Sequence, residues 1–244
     1  ILKQYQKNIG DLSESLEKPI KEWVEDLQEL VLSELESQKS LTGLFNLSEW
    51  GRKLREKVSP LLAKYIVRRV EEVQAEIGDE PLPYPQESQS ALEDSLSKIA
   101  EPAKTIDKEL DKIIKEEIRR DPENAFANIK ERVNGKFTEH YSESKVKLIA
   151  KQSAKVAENS LKRKVAKRKG WKLQWVSNTF RDGGNFREDH AKLDGKKVEA
   201  DEPFEIETVD EEGNTTTIKT DYPNEPSQPA SQAIGCECTI KASR

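Results

Sequence analysis

Apolar residues recurring every three or four positions constrain this chain more than any other feature. Pro19, Ile20, Trp23, Val24, Leu27, Val31 and Leu35 form one such series. That spacing lines a single face of an α-helix and does not fit the two-residue period of a strand. A second series, Trp50, Leu54 and Val58, continues through Leu61, Tyr65, Val70, Val73 and Ile77. Asn46 and Glu49 are placed to cap it, and Pro60 to kink or restart it. A third runs through Leu92, Leu96, Ile99, Ile106, Leu110, Ile113, Ile114 and Ile118, with a break or kink expected at Pro102. Asp121-Pro122 reads as the start of a fourth helix, with its end expected at Asn134-Gly135. Between the second and third series lies "GDEPLPYPQES", whose prolines favour an extended linker.

The fifth helical stretch, residues 145–172, carries eleven lysines and arginines against the single acid Glu158, a net +10. Residues 199–225 hold ten acids against Lys219, a net −9. Blocks of this kind mark partner surfaces, or pair with each other inside the fold. Lys151, Lys155, Lys162, Arg163, Lys164, Lys167, Arg168 and Lys169 are accordingly candidates for non-specific contact with nucleic-acid phosphates. The alternative is a solvated helix face; no aromatic residues are interleaved to stack on bases.

Beyond Gly170 the texture changes. "WKLQWVS" alternates like a strand, "RDGGN" is a turn, and "FREDHAKLDG" is a short helical piece closed by Asp194-Gly195. Residues 204–209 and 215–219 read as a β-hairpin, "DYPNEPSQPASQ" as a loop and "CECTI" as a last strand. The expected fold class is α+β, a long helical arm followed by a small mostly-β domain. The expected division is a helical arm (1–78), a Pro-rich linker (79–90), a helical region ending in the basic helix (91–170) and a small α+β domain (171–244).

Composition sets outer limits. The chain has 244 residues, 36% charged and 34% hydrophobic, and no apolar run approaches the ~20 residues of a membrane span. Two cysteines make no disulfide framework, so a reducing compartment is expected. The chain begins at Ile1 and holds no Met, as expected of a processed piece or the C-terminal part of something longer.

Those two cysteines, Cys236 and Cys238, share one face if the segment is a strand, with Cα atoms about 6.6 Å apart. That is the edge of disulfide reach, whereas one metal ion could take both thiolates. His190 is the candidate third ligand, with Asp189, Asp194, His140 or water as the fourth, in a zinc site. Two other readings remain open. The thiols can be small buried hydrophobes. A Cys–His pair, or His190 with Arg187 and Asp189, can also do nucleophilic or acid–base chemistry on a phosphodiester.

The order of pieces carries more than any one piece. Trp175 precedes Asn178; then come Arg187-x-x-His190, Leu193-Asp194-Gly195, Pro203-Phe204, Tyr222-Pro223 and Gly235-Cys236-Glu237-Cys238-Thr239. Upstream lies "KLIAKQSAKVAENS". This set resembles the phage Mu protein F-like minor head (head morphogenesis) family, over roughly residues 121–241. Departures are visible. Inserted residues in "RDGGNF" separate Asp182 from Arg-x-x-His, where the family has an Asp close by; Glu237 stands where an Arg is usual, and Gln152-Ser153 replaces a Thr-Glu.

The resemblance implies a structural virion protein rather than an enzyme. It would sit in the capsid interior or at the portal vertex, after assembly in the host cytoplasm. Expected partners are portal, capsid or scaffolding protein and phage DNA during packaging or ejection. The resemblance also admits a chain that is the C-terminal part of a portal–minor head fusion. The competing reading is a small metal-dependent or histidine-based nuclease or effector domain.

Overall fold

The computed structural model describes residues 2–36, 47–77, 85–121, 123–177, 187–209 and 213–244. It is α+β, with long helices followed by a small antiparallel sheet region. Five long helices come first: α1 (Leu2–Glu36), α2 (Leu47–Ile77), α3 (Pro85–Arg120), α4 (Ala125–Tyr141) and α5 (Glu143–Lys169). The remainder is β1 (Lys172–Val176), α6 (Glu188–Ala191), β2 (Lys197–Glu199), β3 (Phe204–Val209), β4 (Thr215–Thr220), α7 (Ala230–Ala233) and β5 (Thr239–Ser243). No helix among the described residues is long and apolar enough to cross a membrane.

Two compact units form. One comprises Ile1–Leu61 with Ile99–Lys151, the other Leu62–Lys98 with Gln152–Arg244. The borders of these units fall inside helices, between Leu61 and Leu62, Lys98 and Ile99, and Lys151 and Gln152. Helices α2, α3 and α5 each contribute one end to each unit, and periodicity along a continuous helix carries no mark of such a change.

In the first unit the stripe of α1 is buried from Ile9 to Leu35, with Trp23 at its centre. The Trp23 indole N–H donates to the Trp50 carbonyl at 3.2 Å, and its ring meets Tyr141 edge-on at 6.1 Å. Burial of these large faces outweighs local breakers. Pro19, Pro60 and Pro102 all lie inside helices, so the expected break at Pro102 does not occur. Helix α4 likewise runs through Asn134-Gly135 to Tyr141, because Val133, Phe137 and Tyr141 share one buried face. A helix gains more from that burial than it loses to one interior glycine. At its start, Asp121 Oδ1 accepts the Asn124 N–H at 3.2 Å, one turn later than a Pro122 start would place it; Pro122 lies outside the described residues.

Helix α3 begins at Pro85, so part of the stretch expected as linker is helical; proline suits a first turn, whose N–H groups lack partners in any case. Residues 78–84, the expected cap Asn46 and the "RDGGN" turn with Asp182 lie outside the described residues.

In the second unit, β1 is the middle of a three-stranded antiparallel sheet of order β2-β1-β5, and β3 pairs with β4. Trp175 stands opposite Ile240, and Leu173 opposite both Val198 and Ala242. Trp175, Leu173, Phe204, Ile206, Leu193, Tyr222 and Ile240 form one core with both cysteines. The Trp175 and Phe204 rings meet edge-on at 5.2 Å. Cys236 to Cys238 are not part of the last strand, which starts only at Thr239. Strand β2 and helix α7 were not foreseen; three and four residues are too short for a period to show.

Candidate metal centre

Helix α5 explains how the site is held. From Gln152 to Leu161 every residue is buried. A helix enclosed on all sides must find partners for its polar groups, because an unpaired buried charge is very costly. Glu158 takes the Arg69 guanidinium in a two-oxygen fork, 2.8 Å to each oxygen, with Tyr65 at 3.0 Å and Lys162 at 3.1 Å. Burial alone would raise its carboxyl, but the Lys162 and Arg69 cations outweigh that and hold it at about 2. Asp94 Oδ2 accepts from Ser160 at 2.6 Å, Lys164 at 2.6 Å and Tyr222 at 2.9 Å.

The candidate phosphate-binding residues are therefore largely committed within the chain. Lys155, Arg163, Lys162 and Lys164 are buried or half-buried, on Glu237, Asp221, Glu158 and Asp94 respectively. Arg168 reaches toward Glu87 at 3.4 Å and Lys169 is half-buried. Lys151, Lys167 and Arg168 are exposed. Among the described residues, Arg163–Asp221 at 3.0 Å and Lys172–Glu199 at 2.9 Å join the basic and acidic blocks. The spacing of lysines along a helix cannot separate a wet face from a buried one whose charges are matched by other elements.

His190, on the short helix α6, is fully buried with its ring edge-on to Trp175 at 5.6 Å. The Cys236 and Cys238 sulfurs lie 3.4 and 3.6 Å from His190 Nδ1, and all three donor atoms lie within 4.8 Å of one another. A tetrahedral zinc with ordinary bond lengths separates sulfur and nitrogen ligands by about 3.6 Å. The three groups can thus hold a metal ion.

Hydrogen bonding fixes which ring nitrogen faces the thiols. Asp189 Oδ2 accepts from the Gln232 amide nitrogen at 2.9 Å, and an ionised carboxylate offers only acceptors. The Gln232 oxygen is therefore turned to His190 Nε2, at 2.6 Å, and must receive its proton. In the neutral ring Nδ1 then turns its lone pair toward both sulfurs. This is the tautomer a metal ligand needs, and a carboxylate–amide–imidazole relay is the kind of outer support that orients one. The Asp189 carboxylate also accepts the His190 backbone N–H, at 2.9 Å, tying relay and helix together.

The thiols arrive by a different route. Helix α7 and a left-handed turn at Gly235 (φ 72°) deliver Cys236, whose N–H bonds the Ala233 carbonyl at 3.2 Å. A hydrogen bond with Cys238, reinforced by burial, pushes the Cys236 thiol well up from its usual range. The three donor residues are 0–2% exposed.

The other residues singled out from sequence surround this centre. Arg187 donates to the Ile234 carbonyl at 2.6 Å. Leu193 is in the core, and Asp194 Oδ1 accepts the Ser177 N–H at 2.7 Å. Gly195 has φ 80° and donates its N–H to Trp175 at 2.9 Å; a side chain there would be strained by conformation, not by crowding. Asp189 and Asp194 are thus engaged in bonds of this kind. His140 belongs to the other unit, 3.8 Å from Glu109, and none of the three joins the donor group. Ser177 Oγ is 3.9 Å from Cys238 Sγ. Sequence reasoning missed Gln232, Ser177 and the role of Lys155; a glutamine in a proline-rich loop gives no signal, and Lys155 was hidden in a basic run. Comparison with protein-family models, curated proteins and solved structures yields no match for this chain.

Proposed function

We propose that this chain is a structural minor head protein of a tailed phage, acting near the portal in head assembly and in DNA packaging or ejection, with zinc stabilising its second unit. One observation carries the reading. His190, Leu193, Cys236 and Cys238, four of the residues that made the resemblance, lie together in a buried core rather than in an open cleft, with half-buried Arg187 and exposed Asp194 and Gly195 bonded at its edge. Groups enclosed in this way serve a scaffold better than they serve turnover. Protein partners at the portal or capsid fit this reading more readily than DNA contact along α5, most of whose cations are engaged. DNA contact would fall to the exposed Lys151, Lys167 and Arg168.

The charge balance favours a divalent ion. Two thiolates bring two negative charges, while the adjoining Lys155–Glu237 pair is neutral in itself. Neutral imidazole adds none, so a 2+ ion leaves the buried centre uncharged, and thiolate with imidazole suits zinc.

Mass spectrometry of purified DNA-filled particles from the source should find this chain together with the portal protein. Its presence only in non-particulate fractions would reject the assembly role. Elemental analysis of the purified protein with reduced thiols should give about one zinc per chain. A metal-free protein that refuses added zinc would reject the metal. Cleavage of DNA or RNA that disappears in His190→Ala would favour the nuclease reading instead.

A further inference from the structure

The three residues Cys236, Glu237 and Cys238 lie between a turn and the first residue of β5, outside any strand ladder. A ladder would fix both sulfurs on one side; here something else has to. Lys155 on α5 is 2% exposed, and its ammonium donates to the Cys236 carbonyl at 2.7 Å and pairs with Glu237 at 2.8 Å. One turn further along the same helix, Asn159 Oδ1 accepts from Thr239 Oγ at 2.8 Å and from the Ile240 N–H at 3.4 Å. Its amide nitrogen holds the Pro223 carbonyl at 3.2 Å.

We infer that Lys155 is the positioning residue of the two thiols, with Asn159 continuing its work into β5. Lys155 grips the link between the two cysteines at two points, the carbonyl before Glu237 and the Glu237 side chain itself. With Glu237 drawn toward α5, the flanking sulfurs are turned together toward His190. A lysine buried to this degree persists only where both its charge and its hydrogen bonds are satisfied, and the Cys236 carbonyl and the Glu237 carboxylate that it meets both belong to the ligand segment. The inference rests on the metal-centre reading for its purpose, but the grip itself is testable without metal.

The test has two arms on the full chain. In the first, cobalt(II) is titrated into metal-free protein and its thiolate charge-transfer band recorded. Lys155→Met should weaken cobalt binding about 10- to 100-fold, as loss of an outer-shell partner does. Glu237→Gln, which keeps an acceptor for Lys155, should stay closer to wild type than Glu237→Ala. In the second arm, amide exchange is followed across residues 234–240 of the metal-free protein. Lys155→Met, or Glu237→Ala if Lys155→Met does not fold, should speed exchange there by about tenfold or more while β1 is unchanged. Wild-type cobalt affinity and spectrum in a folded Lys155→Met protein would overturn the inference. Unchanged exchange in the variants would do the same. Failure of the wild-type protein to take cobalt, with exchange responding as expected, would reject the metal and leave the grip standing.

Discussion

The Gln232 side-chain oxygen lies 2.6 Å from His190 Nε2, and the same amide's nitrogen lies 2.9 Å from Asp189. The relay decides which face of the imidazole is basic. Gln232→Ala should therefore lower zinc affinity about 10- to 100-fold in a competition titration against a chromophoric chelator. Gln232→Glu should be milder, since a carboxylate still accepts from Nε2 although it repels Asp189. Equal affinities for wild type and Gln232→Ala would show that the ring needs no such support.

Metal removal should act on the second unit's core. His190 rests against Trp175, which packs on Phe204. Chelation should lower the thermal midpoint and change the tryptophan emission, and added zinc should restore both. His190→Ala should abolish the response to chelator. An unaltered melt with a strong chelator present would argue that the thiols and ring are an ordinary buried hydrogen-bonded group.

Glu158 is the centre of a buried charge network, so its removal should be severe. Breaking a buried pair by deleting one partner typically costs about 3–5 kcal/mol, and Glu158→Ala should fall in that range by urea unfolding. The sign with pH follows from its carboxyl being held down at about 2. Its contribution is complete above the ordinary value of 4.5 and is lost as pH falls toward about 2. Glu158→Gln should lack that part of the acid dependence, amounting to about 3 kcal/mol by linkage. Parallel acid profiles for the two proteins would contradict the network.

The cations of α5 should sort by burial rather than by charge. Lys151→Ala and Lys167→Ala, both at exposed positions, should each change stability by less than about 0.5 kcal/mol. Arg163→Ala should cost about 2–3 kcal/mol, because it strands the Glu202 and Asp221 carbonyls at 2.8 and 3.4 Å. If DNA binding exists, the exposed pair should reduce its salt dependence while Arg163 should not. A similar loss of stability for all three would mean that α5 is uniformly packed or uniformly wet.

How much of this was legible in the sequence depends on the kind of signal. The apolar series through Trp23 and Leu27, and through Ile106 and Ile113, are long enough for their period to survive interior prolines, and each became a buried face. Where a helix ends was less legible, as at Gly135, because the deciding force was burial of Phe137 and Tyr141 beyond it. The donor set His190, Cys236 and Cys238 was visible because those residue types are scarce in this chain. Its supports were not. Lys155 looked like one more lysine of a basic run, and nothing local marks a lysine whose acid lies 82 positions away. The strand placement of the cysteines was wrong for a related reason. Alternation around Cys236 and Cys238 imitates a strand, but a ladder needs a partner, and β1 pairs only from Thr239 onward.

His190 and Cys236 stand 46 residues apart in sequence, and β2, β3 and β4 all lie within that interval. An ion shared by the two ends would close this stretch into a ring as a covalent cross-link does. In the chain-entropy picture, closing 46 residues removes about 4 kcal/mol of freedom from the unfolded chain. Unlike a disulfide, the closure needs no oxidant and can be undone by a chelator or by acid. A fold that must hold under reducing conditions would thereby gain a fastening that the redox state of its surroundings cannot open by reduction.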